Sequence, residues 1–143
     1  RGFCHSYAYP RSGGVGNAAM KLNQITLPVS DIPRSKAFYE MLGFGLRVSS
    51  PHYCRFVAPD GDATLSIHVE TGPIEPGAVL YLEVDDVDAT VATLEARGLV
   101  FETAPVDQSW LWREADFRDP DGHRWKIYHA GKNRLDPPWA VSS

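Results

Sequence analysis

The chain is poor in cysteine: Cys4 and Cys54 are the two in 143 residues. Two thiols make no disulfide framework and no paired-cysteine metal site. A stapled secreted scaffold is therefore excluded, and a reduced cytoplasmic setting is expected. Cys54 falls in a strand pattern and reads as a small buried residue. Long apolar runs are missing too. Nothing approaches the roughly 20 residues a membrane helix needs, and the first residues lack the apolar centre of a signal peptide. No basic run occurs and the net charge is −4, so neither nucleic acid nor a membrane is expected as a partner. There is no phosphate-cradling glycine loop and no nucleophile elbow. What is present, 43% hydrophobic and 22% charged residues, is enough to bury a core in one domain.

The chain repeats itself. Leu27-Pro28-Val29-Ser30-Asp31-Ile32 opens a segment that ends at Gly43, and Leu82-Glu83-Val84-Asp85-Asp86-Val87 opens a similar one that ends at Gly98. Ala58-Pro59-Asp60-Gly61 leads into Leu65-Ser66-Ile67-His68, as Asp119-Pro120-Asp121-Gly122 leads into Trp125-Lys126-Ile127-Tyr128. Two matching halves of this size point to duplication of one supersecondary unit.

Residues 1–19 carry no hydrophobic period and read as a non-native or upstream leader, with Met20 as the natural start. Residues 20–143 are expected to form one domain: module one over 22–70, a linker over 71–78, module two over 79–130 and a tail over 131–143 lying extended on the surface. In module one, alternation over 22–29 predicts a strand. Ser30 or Asp31 caps a helix with Pro33 in its first turn and Gly43 at its end. Strands follow over 46–49, 52–58 and 64–70. Module two repeats the order: a strand over 78–84, a helix capped by Asp85 or Asp86 and ended by Gly98, then strands over 99–102, 112–118 and 124–129. His123, after the second Pro-Asp-Gly turn, reads as a plain turn residue.

This βαβββ-βαβββ order, with L-x-V-x-D before each helix, Phe38-Tyr39-x-x-Leu42-Gly43-Phe44 and Asp119-Pro120-Asp121-Gly122, resembles the vicinal oxygen chelate superfamily of glyoxalase, bleomycin-resistance proteins and extradiol dioxygenases. The resemblance covers about residues 22–130. It implies an α+β fold in which two tandem βαβββ modules form a curved mixed sheet around a central cleft, and it implies a homodimer. Members with known chemistry hold a divalent metal on inward strand positions. The resemblance puts Gln24, Ser66, Val79 and Lys126 at those positions. Val has no donor and a protonated Lys repels a cation, so the usual metal site looks dismantled and no cofactor is expected.

Strand parity extends the cleft face. With Gln24 and Ser66 go Thr26, Thr64 and His68; with Val79 go Tyr81 and Glu83; with Lys126 go Arg124 and Tyr128. The opposite parity, Ile25, Leu27, Leu65, Ile67, Leu80, Leu82, Trp125 and Ile127, should pack under the helices. His68 is the candidate general acid or base, with Glu83 as its partner; the plainer alternative pairs Glu83 with Lys126 or Arg124. Gln24, Tyr81, Lys126 and Tyr128 are candidate ligand-positioning groups. Trp110 and Trp112 could line an aromatic pocket, with Arg113 or Arg55 holding a carboxylate and Tyr53, Phe56 and Trp139 extending the wall. Two functions stand side by side: a glyoxalase-like enzyme working by proton transfer, and a metal-free protein that sequesters an aromatic or cationic small molecule. A divergent metal enzyme using Gln24, His68 and Glu83 is a third.

Overall fold

The computed structural model describes residues 18–142. The leader assigned to residues 1–19 falls almost wholly outside the described residues.

Module one begins with β1 (Gln24–Val29) and α1 (Ile32–Leu42). Asp31 is the cap: its carboxylate accepts from the Arg34 amide at 2.9 Å. Gly43 ends the helix at φ 105°, a backbone conformation that costs other residues a Cβ clash. Then come β2 (Gly45–Ser49), β3 (Tyr53–Val57) and β4 (Thr64–Val69). Module two repeats this with β5 (Val79–Glu83), α2 (Val87–Ala96, capped by Asp86), β6 (Val106–Asp107), β7 (Arg113–Arg118) and β8 (Arg124–His129). Each module makes a four-stranded sheet, β1-β4-β3-β2 and β5-β8-β7-β6. β1 runs parallel to β4 and β5 to β8, while the other neighbours are antiparallel, so both sheets are mixed. The expected α+β fold of two tandem βαβββ modules is the fold observed.

Two segments differ from expectation. The strand expected over 99–102 lies instead at Val106–Asp107. The earlier segment touches β7 through the Glu102 amide on the Asp116 carbonyl, but the Asp116 amide then turns to the Thr103 hydroxyl. A side chain thus takes the place of a ladder carbonyl, and Pro105 brings no amide of its own. The tail is also not simply extended, since Gly131–Arg134 forms a 3-10 turn.

The parity split holds. Leu27, Leu65, Ile67, Leu80, Trp125 and Ile127 are buried, as is Cys54. Ile25, near the start of edge strand β1, is half-exposed. α1 lies between the apolar faces of the two sheets. Tyr39 packs on Phe56 of β3 and Trp125 of β8, and Phe38 packs on Phe117 of β7. One continuous core results. α1 covers β3 and β4 and α2 covers β7 and β8, so the polar residues of each sheet lie on the face away from its helix.

The turn at Asp119–Gly122 locks the modules together. Buried Asp119 accepts the Tyr39 hydroxyl at 2.6 Å and the His123 amide at 2.8 Å, and the Trp125 indole donates to Tyr39 at 3.2 Å. Asp121 accepts from the Ser30 hydroxyl and amide and from Arg34, at the start of α1. His123 is not a plain turn residue: it is buried, and its Nε2 lies 2.7 Å from the Pro28 carbonyl, in position to donate across the module boundary. A two-residue period reports strand faces, whereas this role depends on how the modules dock.

Candidate outward-facing binding faces

On the first sheet, the β3–β4 register sets Tyr53 opposite His68 and Arg55 opposite Ser66, and the β1–β4 register sets Gln24 opposite Thr64. A chain of hydrogen bonds follows. The Gln24 amide donates to Ser66 Oγ at 2.8 Å, Ser66 Oγ lies 2.6 Å from the Tyr53 hydroxyl, and Arg55 Nε donates to that hydroxyl at 2.9 Å. Thr64 closes the chain by donating to the Gln24 carbonyl oxygen. Ser66 is fully buried and Arg55 is exposed. The Ser66 hydrogen bond, with Arg55 adding to it against the opposing effect of burial, holds the Tyr53 pKa below the ordinary phenol value. His68, on the same strand as Ser66, is half-exposed and its Nδ1 lies 3.4 Å from Glu70.

On the second sheet, Tyr81, Trp112 and Tyr128 come together. Trp112 stacks on Tyr128 with centroids 4.9 Å apart, and Tyr81 meets both rings edge-on at 6.0 and 5.4 Å. Tyr81 is 46% exposed, so this cluster presents an open ring. Burial, with the Glu83 charge adding, pushes the Tyr128 pKa up to about 12. Beside the rings, the Lys126 ammonium sits 3.0 Å from Glu114 and 2.9 Å from Asp116. Burial alone would lower its pKa; the bonds to Asp116 and Glu114 more than reverse this and leave it raised. Glu114 is 3% exposed and also accepts the Trp110 indole at 2.7 Å. Leu111 between the two tryptophans has φ 69°, and no other non-glycine among the described residues has a positive φ. The turn is held by Gln108 and Leu111 amides on the Trp112 and Gln108 carbonyls. This strained backbone aims Trp110 at Glu114 and Trp112 at Tyr128.

The predicted residues thus fall into two sets. Gln24 and His68 are on the first face; Tyr81, Glu83, Trp110, Trp112, Lys126 and Tyr128 belong to the second. No hydrogen bond or ion pair among the described residues joins the sets. His68 and Glu83 do not meet. Glu83 instead accepts the amides of Ala130 and Gly131 and lies 3.6 Å from Arg134 and 4.0 Å from His129, so neither Lys126 nor Arg124 is its partner. Arg113 holds carboxylates of its own chain, Asp88 and Asp107, both at the surface. Trp139 is exposed, and Phe56 belongs to the core. Gln24 and Tyr81 both border a mainly apolar cavity of about 410 Å³ at the edge of the sandwich, where β1 begins beside β5.

Sequence reasoning placed Tyr53 and Arg55 only as a wall and a spare cation, and it left Asp116 unnamed. Parity could have found Glu114 and Asp116: they alternate with buried Ala115 and Phe117, which puts them on the Lys126 face. Of the four positions the resemblance assigns to a metal, Gln24 and Ser66 are bonded to each other, Val79 has no donor atom, and Lys126 carries a proton. Among the described residues, no three His, Cys, Asp or Glu side chains gather into a group that could hold a metal ion. No helix is long and apolar enough to cross a membrane.

Comparison with known proteins agrees with the fold. YraH of Bacillus subtilis (strain 168), an uncharacterized protein, is 32% identical over 128 residues, covering 76% of this chain and 98% of its own. The antibiotic binding protein TnmS3 from Streptomyces sp. CB03234 superposes with a TM-score of 0.67 at 30% identity, over 80% of this chain and 98% of its own. A bleomycin-binding protein complexed with bleomycin superposes with a TM-score of 0.64 at 25% identity, over 78% and 98%. The model of the Glyoxalase/Bleomycin resistance protein/Dioxygenase superfamily matches residues 21–127, and the chain belongs to that superfamily.

Proposed function

We propose that this chain binds an aromatic small molecule without a divalent metal, holding its ring against Tyr81, Trp112 and Tyr128. The observation that carries the reading is that cluster: two stacked rings and a third, half-exposed ring on the outer face of a sheet. Aromatic groups attract one another edge-to-face and offset-stacked, by about 0.5–1.5 kcal/mol per pair beyond area burial. The acidic surroundings, Glu114 and Asp116 against the single charge of Lys126, also suit a cationic substituent. Two proteins of similar structure are an antibiotic binding protein and a bleomycin-binding protein. The metal-free part of the reading rests on donor chemistry, since Val79 and the protonated Lys126 stand where ligands would be required.

A ring held on one open face is bathed by solvent. A second copy would cover it: the first sheet of one chain set against the second sheet of the other closes two equivalent clefts by two-fold symmetry. The free edges of β1 and β5 support this, because unpaired edges are normally covered or paired.

The test is tryptophan fluorescence with naphthalene carboxamide, an uncharged ring, at matched concentrations of wild type and Trp112→Leu. Saturable quenching in wild type that disappears in the variant is expected. Linear, unsaturable quenching in wild type would refute ring binding. Light scattering on the same samples should give twice the chain mass, and a monomer at every concentration would refute the closed cleft.

A further inference from the structure

We infer that Arg55 and Tyr53 on the outer face of the first sheet, with buried Ser66 holding the Tyr53 hydroxyl, form a subsite for a planar oxyanion of the ligand, a carboxylate or its equivalent. This rests on the small-molecule reading above and adds what the other end of the ligand must be.

Charge gives the first argument. The strands of the first sheet, Gln24–Val29, Gly45–Ser49, Tyr53–Val57 and Thr64–Val69, contain no Asp or Glu. Arg55 makes no ion pair among the described residues, and His68 already has Glu70. The second sheet is the reverse: Arg113 and Lys126 are both held by carboxylates. An unpaired guanidinium on a cleft face offers a planar fork of donors that matches a carboxylate. Arg55 uses Nε on Tyr53 and lies over that ring at 5.5 Å, and its two terminal amino groups make no hydrogen bond among the described residues. The phenol therefore orients the fork rather than consuming it.

A proton inventory gives the second argument. Tyr53 and Ser66 bring two hydroxyl protons. Ser66 Oγ already accepts from Gln24 and the Tyr53 oxygen already accepts from Arg55, so the single contact between the hydroxyls uses one proton. The other has no acceptor within the chain Arg55–Tyr53–Ser66–Gln24. Ser66 is fully buried, so with Ser66 donating to the Tyr53 oxygen the spare proton is that of the Tyr53 hydroxyl, a donor beside a cation, and an incoming oxygen anion satisfies both. The lowered Tyr53 pKa reflects the same donor-rich surroundings. The face is built to give hydrogen bonds to negative oxygen, and the aromatic cluster lies on the other face. In a cleft closed by two copies, an aromatic carboxylate would span the two.

The experiment compares naphthalene carboxylate with naphthalene carboxamide by titration calorimetry on the full chain, wild type, Arg55→Met, Tyr53→Phe and, as control, Arg47→Met. Wild type should bind the carboxylate about tenfold more tightly than the amide. Arg55→Met should abolish that preference, Tyr53→Phe should reduce it, and Arg47→Met should leave it intact. The Arg55 side-chain Nε–H resonance should shift on adding the carboxylate and not the amide. Equal binding of both compounds, unchanged in Arg55→Met, overturns the subsite and leaves ring binding standing. Failure of both compounds to bind overturns both.

Discussion

Tyr39→Phe tests the junction that holds the modules together. Its hydroxyl is fully buried, donates to the Asp119 carboxylate at 2.6 Å and accepts the Trp125 indole at 3.2 Å. Deleting one oxygen removes a charge-assisted bond and leaves an indole N–H unpaired, a loss of about 3 kcal/mol. With a urea m-value of about 2 kcal/mol/M, the midpoint should fall by about 1.5 M. The pH dependence gives a sharper reading. Burial first, and then the nearby Asp119 charge, drive the Tyr39 pKa far above that of an ordinary phenol. The unfolded chain titrates this group near pH 10 while the native chain keeps its proton. The unfolded state then binds fewer protons, so stability falls as pH rises, by about 1.4 kcal/mol per unit from this group alone. Below about pH 10 the contribution is complete and flat. The gap between wild type and variant should therefore stay constant from neutral pH to about 9 and shrink above about 10. Urea unfolding followed by Trp emission measures it. A gap below about 0.5 kcal/mol at neutral pH, the size of an ordinary surface change, would refute the buried bridge. So would a gap that stays level above pH 10.

Two more outcomes follow from the same geometry. Asp121→Ala removes the acceptor of the Ser30 and Arg34 bonds, and it should cost about 2 kcal/mol in urea unfolding. Lys126→Met strands Glu114 at 3% exposure beside Asp116, and it should cost about 3 kcal/mol at neutral pH. Adding Glu114→Gln should recover part of that loss, which a double-mutant cycle reads directly.

The fold was legible because its signals are local. A two-residue period assigns strand faces whatever lies across them, and it placed Leu65, Ile67, Trp125 and Ile127 inward. Asp31, Gly43 and Asp86 were legible as helix ends because caps act within one turn. Tyr81 and Tyr128 share a face by parity alone, and Trp112 joins them through a loop whose twist at Leu111 leaves no trace in composition. What stayed hidden is pairwise and long-range. His68 is held by Glu70, two residues away, and Glu83 turns to the chain after β8. The joining of His123 to Pro28, far apart in the chain, depends on how one module docks on the other.

The two copies of the duplicated unit have become unlike at their junctions. Where module two has Asp119 and Trp125 meeting Tyr39 of α1, the matching positions of module one and α2 hold Ala58, Leu65 and Leu94. One junction is therefore locked by buried hydrogen bonds. The matching one is a groove of about 640 Å³ between α2 and the Ala58–Gly61 turn, with Arg97 reaching over to the Met41 carbonyl. Apolar packing tolerates such divergence, because losing a bonded pair together costs little while losing one partner costs the desolvation of the other. The sheets also differ in charge: the strands of one carry no carboxylate, and those of the other carry Glu83, Asp107, Glu114 and Asp116. Separated charge of this kind does nothing for a core that already satisfies its buried side-chain polar atoms among the described residues. It has a physical use where two unlike faces meet one ligand, with oxygen at one end and a ring at the other.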